Sequence, residues 1–180
     1  MAPRQKKPDM LYFAYGANMN TERNCHKAKI LTVARLPDHK LSFYAHSDIW
    51  DGGAETLIPA AGEDLWGIVY KLAAMDSDVL DIRQNAKQDG TGSYFHTPED
   101  VMGIDGQIYS VLVYKKAALG NAEQPSDEQM ADIIASAEKH GLPSEYIDGL
   151  KEITTKKARY PVPMKGSMED FLKNFVPCEC

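Results

Sequence analysis

Strand-like segments fill the first two-thirds of this chain and helix-like segments the last third. That segregation limits the fold more than any other feature. Runs of strands followed by runs of helices give α+β architectures, because consecutive strands pair with one another before any helix can cross between them. The expected fold is a small twisted β-barrel, mixed or mainly antiparallel, with flanking helices. The first strand is the apolar, aromatic run MLYFAY at 10–15, ending at Gly16. Segments 30–35 and 41–45 read as two strands separated by Leu36-Pro37-Asp38-His39. After the Asp51-Gly52-Gly53 turn, 55–58 reads as a strand stopped at Pro59. Segment 65–72 is the longest candidate, and Gly67 inside it implies a bulge or a close backbone approach. Segment 108–114 is a late strand.

Helix signals begin at Thr21, which caps a short helix to about 27, and at Asp76 or Ser77, which cap one carrying Val79, Leu80 and Arg83. Ser126 with Gln129 three residues later is a capping box. Met130, Ile133, Ile134 and Ala137 follow it as one apolar stripe, and Gly141 is the C-cap. Pro143 and Ser144 open a further helix, and Ser167 caps a last one over 168–175. The expected organisation is a tail over 1–9, one domain over 10–176 and a short tail over 177–180.

Composition narrows the function. Apolar residues are 43% and charged residues 26%, an ordinary globular balance. The net charge is −6, so nothing draws the chain to nucleic acid or to an anionic membrane. No apolar run approaches the ~20 residues of a membrane span. The Lys/Arg/Pro-rich start is not a secretory signal. Three cysteines, Cys25, Cys178 and Cys180, show no framework spacing, which fits a reducing compartment and a cytoplasmic location. The histidines lack a metal-site spacing and the chain has no G-x-G-x-x-G or P-loop, so neither a metal nor a cofactor is expected. The expected partner is a small-molecule substrate, with self-association, if any, as a homodimer.

The turn after the first strand is the first candidate site. Gly16 permits close backbone approach, and the N–H groups of such a turn can hold an anion or oxyanion. The segment YFAYGANM at 12–19 resembles the YFAYGSNL signature of the γ-glutamylcyclotransferases. Segments 33–41, 50–53, 65–70, 92–94 and 140–146 resemble further family segments in the same order, so the likeness runs over roughly 10–153. The resemblance implies a compact α+β barrel with one cavity and no cofactor. It also implies a reaction in which a γ-glutamyl α-amine attacks the γ-carbonyl and releases 5-oxoproline. That reaction needs a base for an α-ammonium of pKa about 8, donors for the oxyanion, and a cavity that enforces the bent conformer. By resemblance, Tyr15, Gly16, Ala17, Asn18 and Met19 form the turn that binds the glutamyl head, with Tyr94 beside it.

Two departures bear on mechanism. The family's catalytic glutamate falls at Gln84, and an amide does not accept a proton at neutral pH. Losing a general base removes on the order of 10²–10⁴ in rate. Glu55 stands where the family has a small apolar residue. If its carboxylate faces the cavity it can replace the base; if it faces water it is a solvated strand residue. Asp81 and Asp89 are nearby carboxylates that read as cap or loop charges. His96 reads as a satisfied strand histidine, and Tyr44, Tyr94 and Tyr114 as core or cavity wall. The expected catalytic pair is therefore Glu55 and Gln84. The expected activity is either cyclotransfer with a relocated base or an acid/base cyclisation, elimination or isomerisation in a biosynthetic pathway. The alternative is a pseudoenzyme that binds a metabolite or a protein.

Overall fold

A computed structural model describes residues 10–21 and 28–164. Among the described residues, five strands form a closed barrel in the order β1-β3-β2-β4-β5, with three helices against it. They are β1 (Met10–Ala14), β2 (Lys29–Ser47), β3 (Gly52–Leu72), β4 (Tyr94–Gly103) and β5 (Ile108–Lys116). Antiparallel pairs make most of the barrel, and a parallel contact of Tyr12 with Leu112 closes it. The helices are α1 (Ala74–Gln84), α2 (Asp127–His140) and α3 (Ser144–Lys151). The expected α+β barrel is the observed fold.

Alternation along β1 explains why the chain has two apolar cores. Successive strand residues point to opposite faces. Phe13 and Tyr15 join Leu65, Val69, Val101 and Val113 in one cluster. Tyr12 and Ala14 join the other, which packs Tyr70, Leu80, Met130, Ile133 and Ala137 against the helices. β1 is thus buried on both sides and fixes where its terminal turn emerges.

The expected breaks at Leu36–His39 and Pro59 are not strand ends. β2 and β3 form one long ribbon, with Arg35 opposite Trp66 and Leu41 opposite Leu57. The register slips between Pro37 and His39, and Asp38 there has φ 58°. The prolines flank a bulge, where a missing N–H costs no ladder bond. Segment 94–103 is also a strand, despite Pro98 and its acidic residues. The α1 cap is not Asp76 or Ser77: the helix starts at Ala74 after Ala73, without a side-chain cap. Ser126 and Gly141 do bound α2 as expected. The helices expected over 21–27 and 168–175, and all three cysteines, lie outside the described residues apart from Thr21.

The segment after α3 runs back along the β2–β3 turn. Lys156 Nζ pairs with Glu123 Oε1 at 2.5 Å, Tyr160 donates its hydroxyl to the Asp48 carbonyl at 2.6 Å, and Met164 N–H donates to the Ile49 carbonyl at 2.7 Å. Its anchor is Asp51, which is 1% exposed and has φ 50°. Arg159 gives that carboxylate its backbone N–H at 2.6 Å and its guanidinium at 2.7 Å. Those bonds hold the Asp51 carboxyl down to about 2. The folded value lies below the unfolded one of about 3.9, so the stabilisation is complete above that value and is lost as pH falls through 2. Asp51→Asn keeps a residue that tolerates positive φ while removing the charge. It is expected to lower the melting temperature at pH 7, and the gap from wild type should narrow as pH approaches 2. Melting curves across that range check it.

Candidate functional site

β1 delivers Tyr15 and Gly16 into a turn, and one 3-10 turn, Ala17–Met19, follows. Gly16 is needed for contact rather than for torsion. A Cβ there would lie 2.3 Å from Glu55 Oε2. Glu55, on β3, therefore faces the turn and not solvent. Both its carboxylate oxygens accept the Ala17 N–H, at 3.0 and 2.9 Å. The donor that the sequence assigns to a substrate is held by a carboxylate of the chain itself.

Gln84 closes the other side. It ends α1, and Asn85 turns the chain out with φ 46°. Gln84 Nε2 donates to Asn18 Oδ1 at 3.1 Å, and Asn18 Nδ2 donates to the Tyr12 hydroxyl at 2.9 Å. The 3-10 turn and the end of α1 are thereby tied through one buried asparagine. Tyr94 donates its hydroxyl to the Glu55 carbonyl at 2.6 Å, which steadies the strand behind the carboxylate.

These residues share a cavity of about 400 Å³ lined by Ala17, Asn18, Glu55, Gln84 and Tyr94. Among the described residues, Ser47–Trp50 on one side and Pro163–Met164 on the other also line it. A second, very small cavity shares Asn18, Glu55, Gln84 and Tyr94 with it and is lined further by Tyr12, Tyr15, Gly16 and Tyr114. Tyr15 is otherwise committed to structure, donating its hydroxyl to the Tyr114 carbonyl at 2.5 Å. Met19 is fully buried, and its carbonyl meets His140 Nε2 at 2.9 Å. The Met19 side chain thus belongs to the core instead of the cavity wall.

Burial, joined by the charge of Glu55, pushes the Tyr12, Tyr15 and Tyr94 phenols well above their ordinary values. Burial also raises Tyr114, which donates its hydroxyl to Asp81. These groups stay neutral and act as donors. Asp81 lies 3.4 Å from His96 Nε2, and Gln88 Nε2 and His96 Nδ1 are 3.1 Å apart, so both ionisable groups are satisfied. Asp89 is a loop charge, accepting from Thr91 N–H and hydroxyl. Tyr44 pairs with Ala54 on the ribbon and is outside the cavity.

Lys116 and Gln129 also line the cavity, and nothing in the sequence marks them for it. Lys116 ends β5, with its ammonium 5.3 Å from the centre of the Tyr94 ring. Burial lowers its pKa, and among the described residues it has no carboxylate partner. Gln129 was accounted for by helix capping, so its side chain raised no question. Among the described residues no group of three or more His, Cys, Asp or Glu could hold a metal ion, and no helix is long and apolar enough to cross a membrane.

No family model matches the chain. It is 31% identical over 176 residues to a γ-glutamylcyclotransferase of Mus musculus, covering 94% of this chain and 90% of that protein. It is 32% identical over 170 residues to one of Homo sapiens, covering 91% and 87%. A solved structure described as a γ-glutamyl cyclotransferase superposes with a TM-score of 0.79 at 30% identity, covering 93% of this chain and 99% of that one. A γ-glutamyl cyclotransferase specific to glutathione from yeast shares the fold at 13% identity with a TM-score of 0.58. The likeness to the mammalian proteins extends over nearly the whole chain, through the strand, turn and helix that build the cavity, and the chain belongs to the γ-glutamylcyclotransferase family.

Proposed function

We propose that this chain is a small-molecule enzyme in which Glu55 is the acid/base and Gln84, with Asn18, orients the substrate. One observation carries the reading: the Glu55 carboxylate lies in the cavity on the Ala17 N–H, beside the Gln84–Asn18 pair. A backbone donor fixes the carboxylate's position, so a proton can be taken or given at one defined point. The same contact favours a recruited cyclisation, elimination or isomerisation over 5-oxoproline release. A glutamyl α-carboxylate brought to this turn would meet a like charge already seated on the donor, which disfavours its binding. Lys116 offers the substrate a cation at another part of the wall. The reaction class remains proton transfer within one small molecule, with no cofactor assigned.

A second reading, cyclotransfer with Glu55 as relocated base, is favoured by the activity for which the mammalian relatives are named. The inward carboxylate weighs against a pseudoenzyme, which has no use for a positioned acid/base.

The two enzymatic readings part on one substrate. With γ-glutamyl-alanine, 5-oxoproline release is expected to be weak. Gln84→Glu should raise it, and pairing that change with Glu55→Ala should raise it further by removing the competing charge. Robust wild-type turnover, undiminished in Glu55→Gln, overturns the assignment of the base.

Glu55→Gln tests the acid/base role directly, because it is nearly isosteric and its carbonyl can still accept the Ala17 N–H. Turnover of the natural substrate should fall roughly 10²-fold or more with the melting temperature unchanged. Full turnover in this variant excludes Glu55 from the chemistry. A collapse of both quantities would make it a structural carboxylate.

A further inference from the structure

Helix α2 opens with half a capping box. Ser126 Oγ accepts the Gln129 N–H at 3.3 Å. In the complete motif the glutamine side chain returns to the N–H of the cap residue. Here neither Nε2 nor Oε1 of Gln129 has a hydrogen-bond partner among the described residues. The residue is 1% exposed, and it lines the same cavity as Glu55 and Gln84. A buried carboxamide with both its donor and its acceptor unmet is costly, and native interiors seldom keep one without a reason. An apolar side chain of similar length would fill the same position on the helix face without that cost. Its neighbours Met130 and Ile133 do so.

We propose that the Gln129 carboxamide is a specificity-determining group of this cavity, and that it recognises an amide-type edge on the ligand. The chemistry follows from the side chain's own pattern. A primary amide presents one N–H beside one carbonyl oxygen. Its complement is an acceptor beside a donor, which a lactam or a carboxamide supplies along one edge. Two parallel hydrogen bonds then satisfy both buried atoms at once. A ketone or ester of the same shape offers only the acceptor and leaves Oε1 unmatched. A carboxylate offers acceptors alone and fails in the same way. Sites built to hydrogen-bond a donor reject analogues lacking it more strongly than apolar pockets reject a missing methylene. Gln129 therefore reads the neutral, amide-bearing part of the substrate, while Lys116 is available to an anionic part. The proposal rests on reading this cavity as the substrate site, and it adds the class of group held there.

The test reads binding rather than turnover. The side-chain NH₂ resonance of Gln129, identified by its loss in Gln129→Met, is followed while the protein is titrated with 2-pyrrolidinone. Cyclopentanone, the same ring size without the N–H, is the control. The lactam is expected to shift the resonance saturably, and the ketone to bind at least about tenfold more weakly. Gln129→Met should lose the preference for the lactam while its melting temperature stays level or rises, because the unmet group is gone. Gln129→Glu, which keeps the shape and loses the donor, should lose the preference too, which separates recognition from packing. No shift with 2-pyrrolidinone, an equal response to cyclopentanone, or a fall in melting temperature in Gln129→Met would each overturn the proposal. The last would mean that the amide is satisfied within the protein. A wrong assignment of Glu55 would abolish none of these binding results, and a failed titration with the Glu55 predictions intact counts against Gln129 alone.

Discussion

β1 must pass between β3 and β5 with no room to spare, and the rest of the site depends on that passage. Its closest point is Gly67, where a Cβ would lie 2.2 Å from the Ala14 carbonyl oxygen. Any side chain there would push β1 off β3 and open the barrel. With β1 seated, alternation sends Phe13 into one core and Tyr12 into the other. The chain then leaves the barrel at Tyr15 in a fixed direction, and the 3-10 turn lands above Glu55. The barrel thus places the turn to within hydrogen-bond precision, although the turn itself has only three residues. A second close approach, Gly16 on the Glu55 carboxylate, completes the arrangement. The two glycines act in series: the first seats the strand, and the second lets the carboxylate touch the backbone that the strand presents.

Around that contact the molecule keeps an unusual share of its polarity in neutral phenols. Tyr12, Tyr15, Tyr94 and Tyr114 are pushed upward mainly by burial, and for the first three the Glu55 charge adds to the effect. A negative charge in such a setting needs donors, and Ala17 N–H supplies one directly. Tyr94 works one step back, bonding the Glu55 carbonyl instead of the carboxylate. Asp81, the other carboxylate near these phenols, has its own donor in Tyr114 and a neighbour in His96. The two acids are therefore separately satisfied, and Glu55 is the one that borders the large cavity.

Much of this is legible in the amino-acid sequence. Segregation of strands and helices gave the α+β class, and alternating apolar residues placed β1 in the core. What periodicity could not show was continuity through proline. Pro37 and Pro59 look like strand ends, yet they flank a bulge in one long ribbon, because a proline at a bulge forfeits no ladder hydrogen bond. The turn, Gln84 and Glu55 were found from their motifs, and the structure brings them to one cavity. The direction in which Glu55 points was not legible, since in a short strand either face was open to it. Met19 belongs to the turn by resemblance, and packing sends its side chain to the core. Gln129 is hidden because half of its expected role is real: its N–H does meet Ser126, and only the folded chain shows that its side chain does not return.

On the proposed reading, the site has moved its carboxylate and kept its cavity. A glutamate at position 84 would stand at the end of α1, across from the turn, and leave Ala17 N–H for a ligand. With glutamine at 84 and glutamate at 55, that order is inverted: an amide faces Asn18, and the acid occupies the backbone donor. The inversion changes what the turn can bind. A bare backbone N–H attracts anions, whereas one already bonded to a carboxylate presents negative charge and attracts proton donors and cations. The ammonium of an amino-acid-derived substrate would be drawn to Glu55, and its anionic end would find Lys116. On that reading, two substitutions facing each other across the turn, Glu55 on the strand wall and Gln84 at the end of α1, together reverse which end of a zwitterion enters first.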